Sequence, residues 1–335
     1  MKLNNKLIGL ALSGGGIRAT VFHLGVLKYL AHERLFDRIV SISSVSGASL
    51  CIGAIFAVNN NKWCTGDEFL SRVLPRVREV ILSNDIEKSA LRRLPFSPAY
   101  WSNRVEIIAD MLEKKWGISG TLQDLPRFPY WEINCTTYET GRSFRIRRDY
   151  MGDRLLGYTQ NPDLPISRMM AASAGFPVLI GPYTLKTRAM RWTKDKHGKD
   201  EEVILDPQIT LWDGGVYDNL GLEALYKIGK GLDSEIDFLI ASDASPPIEY
   251  QKRKGSMSFT NMKRLLDIAM YQVGALRRRD FMAQVVKKGS GLYVKIGNCD
   301  YPTTLITPSA ANFNMLLKCG FESAEAAYNF KDISI

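Results

Sequence analysis

The sequence predicts an α/β fold: one domain spanning residues 1–335, with a mostly parallel central sheet and helices on both faces. Three observations carry this. Short apolar runs alternate with stretches of helical period, the pattern of strand–helix–strand units wound into a parallel sheet. Two of the strand-to-helix handovers are crowded with small residues, "SGGG" at 13–16 and "SSVSGAS" at 43–49. No internal repeat, low-complexity linker or shift of composition marks a boundary. The 335 residues, 45% hydrophobic and 24% charged, can bury one large core.

Each element has its own reason. Residues 8–12, "IGLAL", form a short unbroken apolar run and read as a buried strand. Ile17, Val21, Leu24, Leu27, Ala31 and Leu35 recur every three or four residues, which makes 17–35 a helix with one apolar stripe. Residues 38–43 are a second strand and 47–58 a helix of small and β-branched residues. Helical patterns continue over 67–83 and 103–116.

Between those two lies "LRRLPFSPAYW", residues 91–101, whose prolines bar a regular helix. Phe96, Tyr100 and Trp101 with Arg92 and Arg93 suit a flap that enters a bilayer interface; a proline-rich connection packed on the core fits equally. Residues 131–138 and 143–148 read as a hairpin around "ETG", and "TKDKHGKDEE" at 193–202 as an exposed polar turn. Strands are expected at 235–242 and 292–296, with helix over most of 256–288.

Composition narrows the function. No apolar run approaches the roughly 20 residues of a membrane span, and the start lacks a leader cleavage site. The cysteines at 51, 64, 135, 299 and 319 are scattered, odd in number and without metal-ligand spacing, so reduced thiols in a cytoplasmic protein are expected. The net charge of +9 is concentrated: residues 252–288 hold ten Lys/Arg against Asp267 and Asp280, a local +8. A solvated helix face accounts for such a run, and so does an anionic partner such as a phospholipid surface or a nucleotide. Aromatics are sparse there and nucleic-acid motifs are absent, so nucleic acid is not expected.

A glycine-rich turn between strand and helix holds negative charge on backbone N–H groups. "SGGGIR" lacks the last glycine of a dinucleotide fingerprint and the Gly-Lys-Ser/Thr of a phosphate loop. An oxyanion formed during a reaction fits better, because a nucleophile stands close by. Ser46 lies among small residues, as a sharp elbow that projects a serine requires, and Ser44 and Ser49 are its competitors. A serine-rich loop capping a helix would look the same in sequence.

A Ser–acid–His triad in hydrolase order is not expected, since no histidine follows position 197 to close it. His197 sits in the polar turn, and His23 and His32 lie in the first helical pattern. The remaining base is Asp213 in "ITLWDGGVYDNLGLEAL", where apolar residues lead to the carboxylate and two glycines follow it. Asp218 and Asn219 read as an Asx turn or cap, and no metal is expected.

Together these segments resemble the patatin-like phospholipase family. "LSGGGIRATVFHLGVL", "SSVSGASL", "TTYETGRSF", "MMAASAGFP" and "WDGGVYDNLG" occur in the family's order over roughly 8–222. The resemblance implies Ser46 as nucleophile, Asp213 as base, and the amides of Gly14, Gly15 and Gly16 as oxyanion hole. It places Arg18 at the basic position after the glycines, to steady the loop or attract lipid phosphate at the substrate site. The family's elbow is usually Gly-x-Ser-x-Gly, and Ser44 and Ala48 stand here for its outer glycines. The implied activity is hydrolysis of phospholipid carboxylic esters through an acyl-serine, with no cofactor, by a protein that associates peripherally with membranes. An acyltransferase, and a bacterial antiphage effector switched on by a cyclic nucleotide, share that chemistry. The resemblance does not reach residues 244–335, which read as a basic helical part of the same domain.

Overall fold

A computed structural model of the chain describes residues 5–93, 104–177, 180–248, 250, 252 and 259–333. In chain order its first half consists of β1 (Ile8–Leu12), α1 (Gly16–His32), β2 (Ile39–Val45), α2 (Gly47–Val58), α3 (Gly66–Glu68), α4 (Leu74–Ser83), α5 (Ile86–Arg93) and α6 (Arg104–Trp116). Four strands follow, β3 (Tyr130–Thr137), β4 (Ser143–Ile146), β5 (Tyr150–Asp153) and β6 (Gly157–Gln160). Then come α7 (Ile166–Ser173), β7 (Tyr183–Lys186), β8 (Gln208–Asp213), α8 (Gly215–Asp218) and the small hairpin β9 (Tyr226–Lys227) and β10 (Gly231–Leu232). The chain continues with β11 (Phe238–Asp243), α9 (Phe259–Phe281), β12 (Gly291–Lys295) and α10 (Ala310–Ile333).

The large sheet runs β12-β11-β1-β2-β3-β4-β5-β6. Its central five strands, β12 to β3, are parallel throughout, as the alternation of strands and helices predicts. Beyond β3 the sheet continues antiparallel through β4, β5 and β6, the first of these formed by the expected hairpin. Gly141 takes φ 63° at that turn, a conformation glycine adopts without strain.

Helices cover both faces. Ile8, Leu10 and Leu12 of β1 belong to the main core with α1, α2 and α10, while Ala11 points to a second cluster built by Leu220, Leu222, Leu225, Ile236, Phe281 and Val285. This is the period of two that a strand buried on both faces requires.

Several boundaries differ from expectation. The first helix ends at His32 because Arg34 takes φ 58° and turns the chain before Leu35. The 67–83 stretch is broken by one π-turn at Phe69–Val73, and α4 starts with Pro75 near its N-terminus, where its missing N–H costs nothing. Residues 91–93 complete α5; the rest of "LRRLPFSPAYW", and with it the interfacial flap, lies outside the described residues. The polar excursion is an exposed turn closed by a Thr193–Glu202 bridge, with Asp195 accepting from the amides of His197, Lys199 and Asp200.

The cysteine expectation needs correction. Cys299 and Cys319 are joined in a disulfide that ties the loop after β12 to α10. Cys51, Cys64 and Cys135 are buried thiols, and burial pushes Cys64 up to about 12. The pairing could not be read from sequence because it depends on α10 folding back along the loop. Among the described residues, no helix is long and apolar enough to cross a membrane.

Candidate active site

The site forms where two strands end on one edge of β3. The parallel strand β2 pairs up to Val45, opposite Asn134. From there β8 takes over the same edge, running the other way, and its last residue, Asp213, pairs with Cys135. The residue that follows β2 and the residue that ends β8 therefore meet over neighbouring positions of β3. Those residues are Ser46 and Asp213, and the Ser46 hydroxyl stands close enough to the Asp213 carboxylate to favour its ionised form.

Ser46 takes φ 53° and ψ −117°, a conformation costly for a residue with a side chain and typical of functional elbows. Its turn is tight because Gly47 lies against the glycine loop: a Cβ at 47 would come 2.1 Å from the Gly16 carbonyl oxygen. Thr20 Oγ1 joins the two turns, 3.1 Å from the Gly16 carbonyl oxygen and 2.8 Å from that of Gly47.

Asp213 is 3% exposed and accepts the Gly215 amide at 2.7 Å. Burial raises its pKa from 3.8 to about 6, against the opposing effect of the Gly215 hydrogen bond and the nearby Ser46 hydroxyl. A carboxylate so placed is a stronger base than one in water and is ionised at neutral pH.

A buried chain of hydroxyls supports the elbow. The Ser46 amide donates to Ser173 Oγ at 3.0 Å, and Ser173 Oγ donates to the Asn134 carbonyl at 2.8 Å. Ser49 then has to donate to Ser173, Ser44 to Ser49, and the Trp131 indole to Ser44, at 3.0, 2.9 and 2.9 Å. An indole N–H can only donate and a carbonyl only accept, so the two ends of the chain set every proton in it. Ser44 and Ser49 are fully buried in this chain, whereas Ser46 is partly exposed and faces the carboxylate.

The glycine turn is used unequally. Gly14 donates its amide to the Asn219 carbonyl at 3.0 Å, so the expectation that it serves an oxyanion is corrected. The Gly15 and Gly16 amides make no hydrogen bond to the described residues, and both residues have positive φ, 144° and 59°. Ile17, the next amide, is taken by the Thr304 carbonyl at 2.8 Å.

A family-wide comparison settles what kind of chain carries these turns: the family described as Patatin-like phospholipase matches residues 10–226. The chain belongs to this family.

No curated protein matches its sequence. Among solved structures, human GIVD cytosolic phospholipase A2 in complex with methyl gamma-linolenyl fluorophosphonate inhibitor and terbium chloride is similar with a TM-score of 0.53 at 12% identity, covering 99% of this chain and 59% of that one. The complex with the fluorophosphonate alone has a TM-score of 0.51 at 12% identity, covering 98% and 59%. VipD from Legionella pneumophila has a TM-score of 0.47 at 14% identity, covering 96% and 67%. What the two human complexes share with this patatin-like chain is the fold. It spans 59% of their length, and 46% of a third human structure of the same phospholipase.

Other predicted residues of this patatin-like site take structural roles. Arg18 is 3% exposed, and its guanidinium donates to the carbonyls of Ala244 at 3.1 Å and Tyr301 at 2.8 Å. Burial lowers its pKa to about 10, partly offset by Asp243. It therefore anchors the glycine loop, the first of its two expected roles, with its guanidinium buried and engaged by carbonyls of the chain. His23 is fully buried and neutral, its pKa lowered to about 4 by burial. Its Nε2 donates to the Ser13 carbonyl at 2.8 Å, which leaves Nδ1 to accept from Ser242 at 2.9 Å. Asp218 caps the chain as expected, accepting from the amides of Leu220 and Glu223.

Sequence reasoning missed Asn134, Ser173 and Asn219 as site residues. Asn219 Oδ1 lies 2.5 and 2.6 Å from where side chains on Gly14 and Gly215 would begin, so it wedges the glycine turn against the Asp213 turn. The segments "MMAASAGFP" and "DNLG" carried the only signal. Among the described residues, no group of three His, Cys, Asp or Glu could hold a metal.

Proposed function

We propose that this patatin-like protein is a lipid acyl hydrolase that cleaves carboxylic esters of phospholipids through a Ser46–Asp213 dyad. The observation that carries the reading is the Ser46 hydroxyl beside a buried carboxylate of raised pKa, next to two glycine amides that make no hydrogen bond to the described residues. In the first half-reaction the Ser46 proton passes to Asp213 as Oγ attacks the ester carbonyl. The oxyanion is stabilised by the amides of Gly15 and Gly16, and Asp213 then returns the proton to the departing alkoxide. In the second half Asp213 takes a proton from water, hydroxide attacks acyl-Ser46, and the proton goes back to Ser46 Oγ. No histidine participates. His23 has both ring nitrogens engaged away from the dyad, and His32 and His197 are on the surface.

Membership of the family, and a fold shared with human GIVD cytosolic phospholipase A2, support a lipid ester as the substrate. The test is mass spectrometry of phospholipid vesicles incubated with wild-type and Ser46→Ala protein, with fluorophosphonate labelling in parallel. Free fatty acid and lysophospholipid should appear with wild type alone, and the label should sit on Ser46. Labelling of another serine, or product formation by Ser46→Ala, would overturn the dyad. The same incubation with an added alcohol reveals acyl transfer, and with cyclic dinucleotides it reveals gating.

A further inference from the structure

The outward side of α9 is apolar where a soluble helix is ordinarily charged. Met262, Leu265 and Leu276 are 66%, 68% and 61% exposed, and Ile268 and Val273 beside them are 40% and 39% exposed. Their successive spacings of three, three, five and three residues keep them within an arc of about 140° on the helix, so they form one broad stripe, roughly 21 Å long at 1.5 Å per residue. The opposite side of α9 is engaged with the fold. Met270 reaches within 3.2 Å of where a side chain on Gly215 would begin, next to the amide that holds Asp213. Arg277 lies over the Tyr217 ring and pairs with Glu223 at 2.9 Å, and Arg278 faces Asp243. Those cations are neutralised inside the protein, whereas Lys252, Arg279, Lys287 and Lys288 are exposed.

We infer that this stripe docks the protein on an anionic phospholipid bilayer, an inference that rests on the lipid-ester reading of the Ser46 site. An apolar stripe of this length, with exposed Arg279 three residues beyond Leu276 on the same helix, matches the two layers of a membrane interface, hydrocarbon beneath and phosphate above. A second copy is the less favoured occupant, because a self-complementary contact would bring the exposed cations of two such segments toward each other. Since the inner side of α9 contacts the turn after Asp213, docking by its outer side holds the Asp213 turn about one helix diameter, roughly 10–12 Å, from the bilayer surface.

The experiment measures co-sedimentation of the Ser46→Ala protein, which cannot consume the lipid, with vesicles of phosphatidylcholine alone or mixed with phosphatidylglycerol. Binding should be stronger to the mixed vesicles and fall as salt rises from about 0.1 M to about 0.5 M. Adding Leu265→Glu and Leu276→Glu should weaken it by about tenfold or more, the order expected when one to two leucines are no longer buried. Both side chains are largely exposed, so the variant should fold, which circular dichroism checks. Unchanged binding by the folded variant refutes the inference. So does a wild-type dimer in light scattering that the variant converts to monomer, because the stripe would then be a self-association face. Fluorophosphonate labelling of wild-type protein without vesicles reports separately on the dyad. Labelling without vesicle binding sinks the docking surface, and docking without labelling sinks the Ser46 reading.

Discussion

Replacing Asp213 by Asn should make the protein more stable while abolishing its hydrolysis. Asn keeps an Oδ1 acceptor for the Gly215 amide, so that hydrogen bond survives, and it sets a polar N–H beside the Ser46 hydroxyl. What changes is the charge. The buried carboxyl binds its proton more tightly than the unfolded chain does, with a pKa of about 6 against 3.8. It therefore favours folding fully below about pH 4, and that contribution is lost as pH rises through about 6. At 1.36 kcal/mol per pKa unit the ionised carboxylate costs the native state about 3 kcal/mol near pH 7, and about half of that at pH 5. For 335 residues, with about 2.1 cal/mol/K of unfolding entropy each, 3 kcal/mol corresponds to about 4 °C in Tm. Scanning calorimetry of the two proteins from pH 5 to pH 8 should show the variant melting higher, by a margin that grows through pH 6 and levels off above about 7. A margin independent of pH, or a variant less stable at pH 7, would refute the account of Asp213 as a buried base held ionised at a cost.

The other predictions concern the site and its supports. For wild type, kcat/KM on a soluble ester should fall about tenfold per pH unit below about 6 and stay flat into alkaline pH, because the base is a carboxylate and no imidazole takes part in the reaction; an added inflection removed by His32→Gln with His197→Gln would show otherwise. Ser173→Ala takes the acceptor from the Ser46 amide and leaves the Ser49 hydroxyl without its partner, so Tm should drop, consistent with about 1–3 kcal/mol, and fluorophosphonate labelling should slow. Cys299→Ser with Cys319→Ser should cost about 3 kcal/mol in denaturant unfolding, from release of a closed loop with a sequence separation of 20. Thiol titration of denatured wild type should accordingly find three thiols before reduction and five after it.

Local chemistry made much of this protein legible from its residues. A helix that faces a core shows its period at Ile17, Val21, Leu24 and Leu27, and all four are buried in α1. The glycine turn at 14–16 and the crowded elbow at 46 were visible because each needs small side chains at particular positions, whatever lies elsewhere. Asp213 stood out because apolar residues precede it and paired glycines follow. The partners that those groups take were decided only in three dimensions. Asp213 reaches Ser46 because β8 occupies the edge of β3 that β2 leaves at Val45, a fact of strand register. Ser173 holds the elbow and Ser44 and Ser49 are withdrawn from chemistry because α7 returns a hydroxyl beneath the end of β2. Gly14 differs from Gly15 and Gly16 because the Asn219 carbonyl faces its amide, and Arg18 turns inward because the carbonyls of Ala244 and Tyr301 are there to receive it. Conformational preferences are properties of neighbouring residues, so the sequence can show them. Hydrogen-bond partners and burial belong to segments far apart in the chain, and only the tertiary fold assigns them.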